Sequence, residues 1–484
     1  MSNLYDQHGR PLTTTTTRPV KRGYTPGWYR GNEVNRYRSS IPYAVSDSKH
    51  TLNKSVRRRL MGYARWLYVN SGMVRGAVND MARYSVGRGI KPQSLVDGAA
   101  GDYEQYFAEW CKVADVSGVF NFYQMQKLAS IRMDVDGDLG LLMVNNGFPQ
   151  LQVIESHSVE SKDRELTAHD GVKATKAGRP TAYSLRDGEG FKTVSANDFV
   201  LVYDPDRVAQ LRGVSALAHA TDHVRDQMEI LDYEKVGVKM SSAIGIAITT
   251  QGGTADDGQS LIETGYTAAD TGNVPWDTMQ AGMIPRLKIG EDITSFASNR
   301  PNATFQGVIE HLTREVSLGM GLPYEFIVDP AKQGTASRFI LEKAQRRFEE
   351  RQDTIEKFSN RVYAWVIAAG IKRGDLAHAE GFWRVRWQPP KKITVDNGRD
   401  SKANADALKL GTRTLAEDAG ERGQDWEELR NQVEREASDL LTRAKRLTID
   451  HDITLDTAIA LLSQRQPNPV FNNDEPQITS SDNN

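Results

Sequence analysis

Apolar residues along the chain fall into long blocks with helical spacing and short blocks that alternate. Leu60, Ala64, Leu67 and Val74 recur near a 3.6-residue period, so a helix is expected from Leu52 to about Ala82. The turn-prone VGRGIKP at 86–92 ends it. A second helix is expected over about 103–114, and FNFYQMQKLASIRMDVDGD starts a third. LGLLMVNNGFPQLQVIE (139–155) reads as a hairpin, two β-type runs joined by Asn-Asn-Gly. Shorter strands continue to FVLVYDP (199–205), so the first 210 residues are mixed α and β.

From Val214 the pattern changes. A proline-free block runs to Met240 and predicts a helical rod of about 40 Å. Residues 241–300 are rich in Gly, Thr, Ala and Asp behind the β-like AIGIAITT, and read as a small turn-rich insert. Helix resumes after Pro301, with Asn302 as N-cap and Phe305, Ile309, Leu312, Val316 and Met320 as its stripe. A long helix is expected from about Ala336 to Ala369, with Ala344, Phe348, Ile355, Phe358, Val362 and Val366 on one face. FWRVRWQPP (382–390) alternates like a strand, and the rest is charged helix as far as Leu462. There is no internal repeat.

Between the last two apolar helices lies GLPYEFIVDPAKQGTASR, residues 321–338. Its two prolines and two glycines argue against helix, yet Leu322, Tyr324, Phe326, Ile327 and Val328 make it more apolar than an ordinary connector.

The 484 residues suffice for two to four domains or one elongated subunit, and 26% charged with 39% hydrophobic residues is globular composition. Net charge is −2, so the whole chain is not a basic nucleic-acid binder. Residues 1–91, however, carry seventeen Lys/Arg against four Asp/Glu, which predicts contact with something anionic, or a solvated or subunit-contacting face. The single Cys111 allows no disulfide within one chain. No apolar run of about 18 residues predicts a membrane span, and the N-terminus lacks a signal peptide's apolar core. The Thr-rich N-terminal stretch is expected to be a mobile arm, and the proline-broken C-terminus a disordered tail.

Catalytic constellations are weak. There is no G-x-x-x-x-G-K-[ST] and no H-E-x-x-H. GRG at 87–89 lacks the third glycine of a dinucleotide fingerprint, and GVSAL (213–217) has Leu217 where a nucleophile elbow needs glycine. Asp134, Asp136 and Asp138 in DVDGD suggest a calcium loop, but twelve residues from Asp134 end at Asn145 instead of a bidentate Glu. A tight Asp-Gly turn leading into a strand is the favoured reading. In DHD (450–452) the residues do not share a helix face. No cofactor or metal is expected.

Four segments in order resemble the lambda-type family of tailed-phage portal proteins. They are YARWLYVNSGMVRGAVNDMARYSVGRGIKP (63–92), RVAQLRGVSALAHA (207–220), MIPRLKIGEDITSFASNRPNATF (283–305) and REVSLGMGLPYEFIVDPAKQGTASR (314–338). The last departs from the family in reading Thr335-Ala336-Ser337 before the arginine. The resemblance covers about 50–440.

It implies an α+β portal-type subunit with long stem and wing helices, a small β-containing clip and a helical crown. A ring of twelve copies at one capsid vertex would serve as the conduit for DNA packaging and ejection. The implied divisions are a flexible arm (1–50), wing (51–211), first stem helix (212–241), clip (242–299), second stem helix (300–321), tunnel loop (322–337), wing helix and returning strand (338–400), crown (401–464) and tail (465–484). The implied partners are other copies of the chain, the major capsid protein, a large terminase subunit supplying the motor, a head-tail adaptor and non-specifically held double-stranded DNA, with no membrane.

On this reading Tyr324, Phe326, Ile327, Lys332 and Gln333 are candidates for a low-grip collar around DNA, with Gly321 and Gly334 as hinges. Asp222, Asp226 and Glu229 are candidates to face the channel, where acids would keep DNA central and mixed charge would avoid a salt-sensitive grip. Trp276, Glu291 and Asp292 are candidates for terminase or adaptor docking. The basic Arg57–Arg59 and Arg65 would face a neighbouring subunit or the capsid. Two other readings stay open. One is a nucleic-acid-acting enzyme using Asp134, Asp136 and Asp138. The other is a different ring component, an adaptor or scaffold, which length and the β-rich insert disfavour.

Overall fold

The computed structural model describes residues 47–161, 169–243, 247–250, 291–294, 303–328, 337–393, 397–422, 424 and 426–463. The chain divides into two units, one formed by Met1–Gly89 with Ser94–Val385, the other by Ile90–Gln93 with Arg386–Asn484. Helix and sheet mix in the first, as the α+β reading expects.

The first unit opens with α1 (Ser48–Thr51), α2 (Lys54–Asn70) and α3 (Gly72–Ser85). The sequence reading placed one helix where α2 and α3 stand. Ser71 divides them: its N–H closes α2 on Leu67 and its hydroxyl accepts from the N–H of Val74 to cap α3. The apolar phase runs on across the break, so Ala64, Leu67 and Val74 are all buried and periodicity alone cannot reveal it.

Next come α4 (Ala100–Lys112) and α5 (Phe122–Val135), the latter started by a capping box between Asn121 and Gln124. Their facing sides form an aromatic core. The ring of Phe107 lies 5.1 Å from that of Trp110, 5.6 Å from Phe122 and 5.1 Å from Tyr363.

The expected hairpin is present. Strands β2 (Asp138–Asn145) and β3 (Pro149–Glu155) pair antiparallel from Leu139 opposite Glu155 to Asn145 opposite Pro149. Gly147, at φ 80°, supplies the left-handed turn residue. A 3-10 turn at Ser156–Ser158 leads to β4 (Val172–Ala174), β5 (Pro180–Asp187), β6 (Gly190–Ser195) and β7 (Phe199–Tyr203). Two three-stranded sheets result, ordered β3-β2-β7 and β4-β5-β6. Phe199, Tyr183, Leu185, Val159 and Val172 fill a shared core.

Helix α6 (Thr221–Ala243) begins seven residues later than the proline-free block implies, because residues 214–220 are irregular chain and turns pinned to α5. There the N–H of Ala216 and the hydroxyl of Ser215 both donate to the Asp134 carbonyl. α6 packs on α7 (Ala303–Gly319), and Val224 joins Val316, Met320, Leu217, Leu67 and Val135 in the main core. Between them the chain leaves and returns through β8 (Ala247–Thr250) and β9 (Glu291–Thr294), an antiparallel pair. Asn302 and most of the insert lie outside the described residues.

Residues 321–338 are not wholly non-helical: Tyr324–Val328 form a short helix, α8. Pro323 stands just before it, where a missing N–H costs nothing, and its carbonyl accepts from Phe326. Helix α9 (Ser337–Arg373) then runs about 55 Å, and all six stripe residues named from the sequence are buried.

In the second unit β1 (Lys91–Ser94) pairs with β10 (Val385–Gln388), a shorter strand than FWRVRWQPP suggested. Helices α10 (Asn397–Lys409), α11 (Leu415–Glu421), α12 (Trp426–His451) and α13 (Leu455–Leu462) follow, the expected charged helical end.

Candidate functional site

The segment 134–138 does something its spacing did not disclose. Asp134 lies in the last turn of α5, Asp136 caps that helix, Gly137 turns the chain at φ 92°, and Asp138 starts β2, so the expected Asp-Gly turn is present. Each of the three carboxylates is taken by a different arginine. Asp134 Oδ1 accepts from Arg351 Nη2 of α9 at 2.6 Å. Asp136 receives both Nε and Nη2 of Arg65 on α2, at 2.7 and 2.8 Å. Asp138 receives Nε and Nη2 of Arg212, at 2.7 and 2.9 Å, and also the N–H of Gly213 at 3.0 Å. The backbones of 137 and 213 touch, since a Cβ on Gly137 would lie 2.6 Å from the carbonyl carbon of Gly213.

Behind this lies a second carboxylate–arginine layer. Arg57 pairs with Asp170 and donates to the Ser156 hydroxyl at 2.8 Å. Arg212 also donates to the carbonyls of Val159 and Asp170 at 2.6 Å each. Burial alone would raise the Asp138 carboxyl, but Arg212, helped by Arg57, holds it below the usual carboxylate range. Burial wins at Asp134, which is pushed up despite Arg351. At Arg57 burial and the nearby Arg212 cation lower the guanidinium pKa. In the Arg57–Asp170, Arg212–Asp138 and Arg351–Asp134 pairs both partners are buried, so a charge removed from one would leave the other buried and unpaired.

These pairings bear on two of the readings above. Arg57, expected to face a neighbouring subunit or the capsid, is instead buried against Asp170 of its own chain; Arg58 and Arg65 pair with Glu160 and Asp136 while staying about one-third exposed, and Arg59 is exposed. The three aspartates that suggested catalysis or calcium already have cations on them, and no group of three or more His, Cys, Asp or Glu able to hold a metal occurs among the described residues. A cleft of about 340 Å³ opens between α3, α6, α7 and α8, and Asp80 is its one charged lining residue. Paired acid and base groups are not what lines it.

The remaining candidates have definite places. On α6, Asp222, Asp226 and Glu229 share one exposed face, continued by the exposed Tyr233, at spacings of four, three and four residues. That face points away from α7, which α6 meets through Val224 and through Gln227 donating to Thr313 at 3.0 Å. On α8 the Phe326 ring lies 5.4 Å from Tyr84 and 5.7 Å from Phe348, and Ile327 packs on the main core. Tyr324 lies beneath the Arg314 guanidinium at 5.2 Å. Much of this apolar surface therefore rests on the same chain. Gly321, at φ 75°, stops α7: its N–H donates to Leu318 and that of Leu322 to Ser317. Glu291 and Asp292 pair with Thr250 and Thr249 in the β8–β9 ladder. Trp276, Lys332, Gln333 and Gly334 lie outside the described residues.

Sequence reasoning missed Arg212, Arg351 and Asp170. One signal was available for Arg351: it falls in phase with the apolar stripe of α9, between Phe348 and Ile355.

Residues 39–352 match the family described as "Phage portal protein, lambda family". A search among curated proteins gives no match. Among solved structures, one described as the neck of an empty gene transfer agent particle, computed with C6 symmetry, is similar at 15% identity and a TM-score of 0.50, covering 76% of this chain and 94% of that one. Two further similar structures are the neck of the native particle computed with C12 symmetry (14% identity, TM-score 0.47, 76% and 93% covered) and the virion of the native particle (14%, 0.48, 73% and 89%).

Proposed function

Because the chain belongs to the lambda family of phage portal proteins, a family of structural proteins, we propose that copies of it close into a twelve-membered ring at one capsid vertex of a virion. Genome DNA passes through the ring during packaging and ejection. A terminase motor and later a head-tail adaptor dock on it, and the major capsid protein surrounds it. The sequence carries no G-x-x-x-x-G-K-[ST] phosphate cradle, and on this reading a separate protein supplies the motor.

One observation carries the reading beyond the family match: α6 and α7 pack against each other, and the chain between them leaves and returns through the paired β8 and β9. This is the arrangement a stem pair with a clip would have. The exposed acids of α6 then face the channel. Carboxylates along a DNA passage repel phosphate and keep the duplex from gripping the wall, whereas each Lys or Arg bound to phosphate adds about 0.9 to the salt slope of binding. Residues 322–337 form the collar, with Lys332 and Gln333 at its tip and Gly334 as a hinge. Residues 401–464 form the crown.

Negative-stain imaging of the purified full chain tests the central claim. Rings with a central hole are expected. A preparation that stays monomeric and cuts DNA would overturn the proposal in favour of a nucleic-acid-acting enzyme. A finer test is Gly334→Pro, which is expected to assemble rings and package poorly; unimpaired packaging would remove the hinge.

A further inference from the structure

Helix α2 buries one side and leaves large apolar residues bare on another. Met61, Ala64 and Leu67 are buried where it packs on α3, α5 and α6. On its outer side Val56, Tyr63 and Trp66 are 40%, 45% and 50% exposed. At 100° and 1.5 Å per residue they share an arc of about 80° and span about 15 Å. Arg59 is the one charge on that arc, and α2 itself carries five Lys/Arg and no acid. A contiguous apolar stripe of this kind marks a surface that something covers.

We infer that residues 41–45 of the same chain, Ile-Pro-Tyr-Ala-Val, lie along this stripe. The described chain starts at Asp47, and α1 followed by Leu52 and Asn53 leads straight into α2, so the segment is tethered near the start of the helix. Six extended residues back from Asp47 reach about 20 Å, and Trp66 stands about 18 Å along α2 from Lys54. Pro42 biases Ile41 toward extended backbone, and an extended run puts Ile41, Tyr43 and Val45 on one side and Pro42, Ala44 and Ser46 on the other. That apolar row is about 13 Å long, close to the span from Val56 to Trp66. Charge singles out this stretch among the residues before Asp47. Residues 1–38 carry seven Lys/Arg against two Asp/Glu and are repelled by a helix with five cations, whereas residues 39–46 carry no charge. The family match starts at residue 39, so the segment belongs to the part of the chain that the family shares. Tethering raises its effective concentration at the stripe, so a small apolar contact is enough to hold it. The inference concerns a single chain and does not depend on the ring reading.

A cysteine at Gly62 tests it, because a Cβ there meets open space beside the stripe and the native Cys111 is buried and does not compete. Full-length Gly62→Cys is expected to react slowly with a maleimide under native conditions. Adding Ile41→Ser and Tyr43→Ser is expected to speed the reaction several-fold, and a rate that does not change would overturn the inference. Full-length Ala44→Cys/Gly62→Cys keeps every side chain of the contact. With a short bismaleimide it is expected to give a link inside one chain, which runs as a single chain on a denaturing gel and appears as a joined peptide by mass spectrometry. Chains joined to one another would give the stripe to a second copy and overturn the assignment to the chain's own segment, and a double variant that gives no link would overturn it as well.

Discussion

The Arg212 guanidinium donates twice to the Asp138 carboxylate, from Nε and Nη2 at 2.7 and 2.9 Å, and both side chains are buried. The pair ties the approach to α6 to the first residue of β2. Arg212→Met leaves a buried carboxylate without its cation and is expected to cost about 3–5 kcal/mol. The pH dependence follows from the sign of the shift. Asp138 is held below its ordinary pKa, so its contribution is present at neutral pH and is lost as pH falls below the usual carboxylate range. Denaturant titrations at neutral and acid pH check this: the gap between wild type and Arg212→Met is expected to narrow on acidification.

Two glycines predict opposite outcomes. A Cβ on Gly213 would run into the Gly137 carbonyl, and backbone cannot swing aside as a side chain can. Gly213→Ala is expected to lose about 2–4 kcal/mol. Gly76 lies within α3 with open space where a Cβ would go. Gly76→Ala is expected to gain up to about 1 kcal/mol from helix propensity and reduced unfolded-state freedom. Thermal midpoints of the two variants, measured side by side, decide the matter.

Glu356 on α9 is pushed up to about 7 by burial and by the neighbouring Asp353. A carboxyl raised in the folded state holds a proton that the unfolded chain has already released, so stability falls as pH rises from the ordinary Glu range to about 7 and is then level. Glu356→Gln removes that penalty. It is expected to raise the denaturation midpoint at pH 8, by roughly 1–2 kcal/mol after screening, and to leave it unmoved near pH 4. An equal gain at both pH values would point to packing instead.

If the acids of α6 face DNA, replacing Asp222, Asp226 and Glu229 by Lys should turn a repelling wall into a binding one. Duplex binding by assembled rings is expected to tighten, with the salt slope steepening by about 0.9 for each new phosphate contact. Binding that stays weak, with an unchanged slope, would place these acids elsewhere.

Much of this fold is legible in periodic stripes. The α9 face from Ala344 to Val366 and the hairpin around Gly147 follow from spacing and turn chemistry. What spacing cannot show is where a continuous stripe is cut by a capping serine, as at Ser71, or how a proline can start a helix instead of ending one, as at Pro323. The charged core was hidden for another reason. Arg57 and Asp170 are 113 positions apart, and Arg351 and Asp134 are 217 apart, so only the tertiary fold brings them together. The same distance explains why DVDGD looked like a cation site: its acids do await cations, but from arginines far along the chain.

A practical rule for hybrid proteins follows from segment 134–138. Its three acids hold Arg65, Arg212 and Arg351, which belong to three separated stretches of sequence. A graft from a relative that brings in any one of these stretches without the others strands a charge inside the subunit. Junctions for domain exchange therefore belong beyond Arg351 or before Arg57, whose buried pair with Asp170 would otherwise be split, and the insert between β8 and β9 is the piece that can be exchanged without breaking any of these pairs.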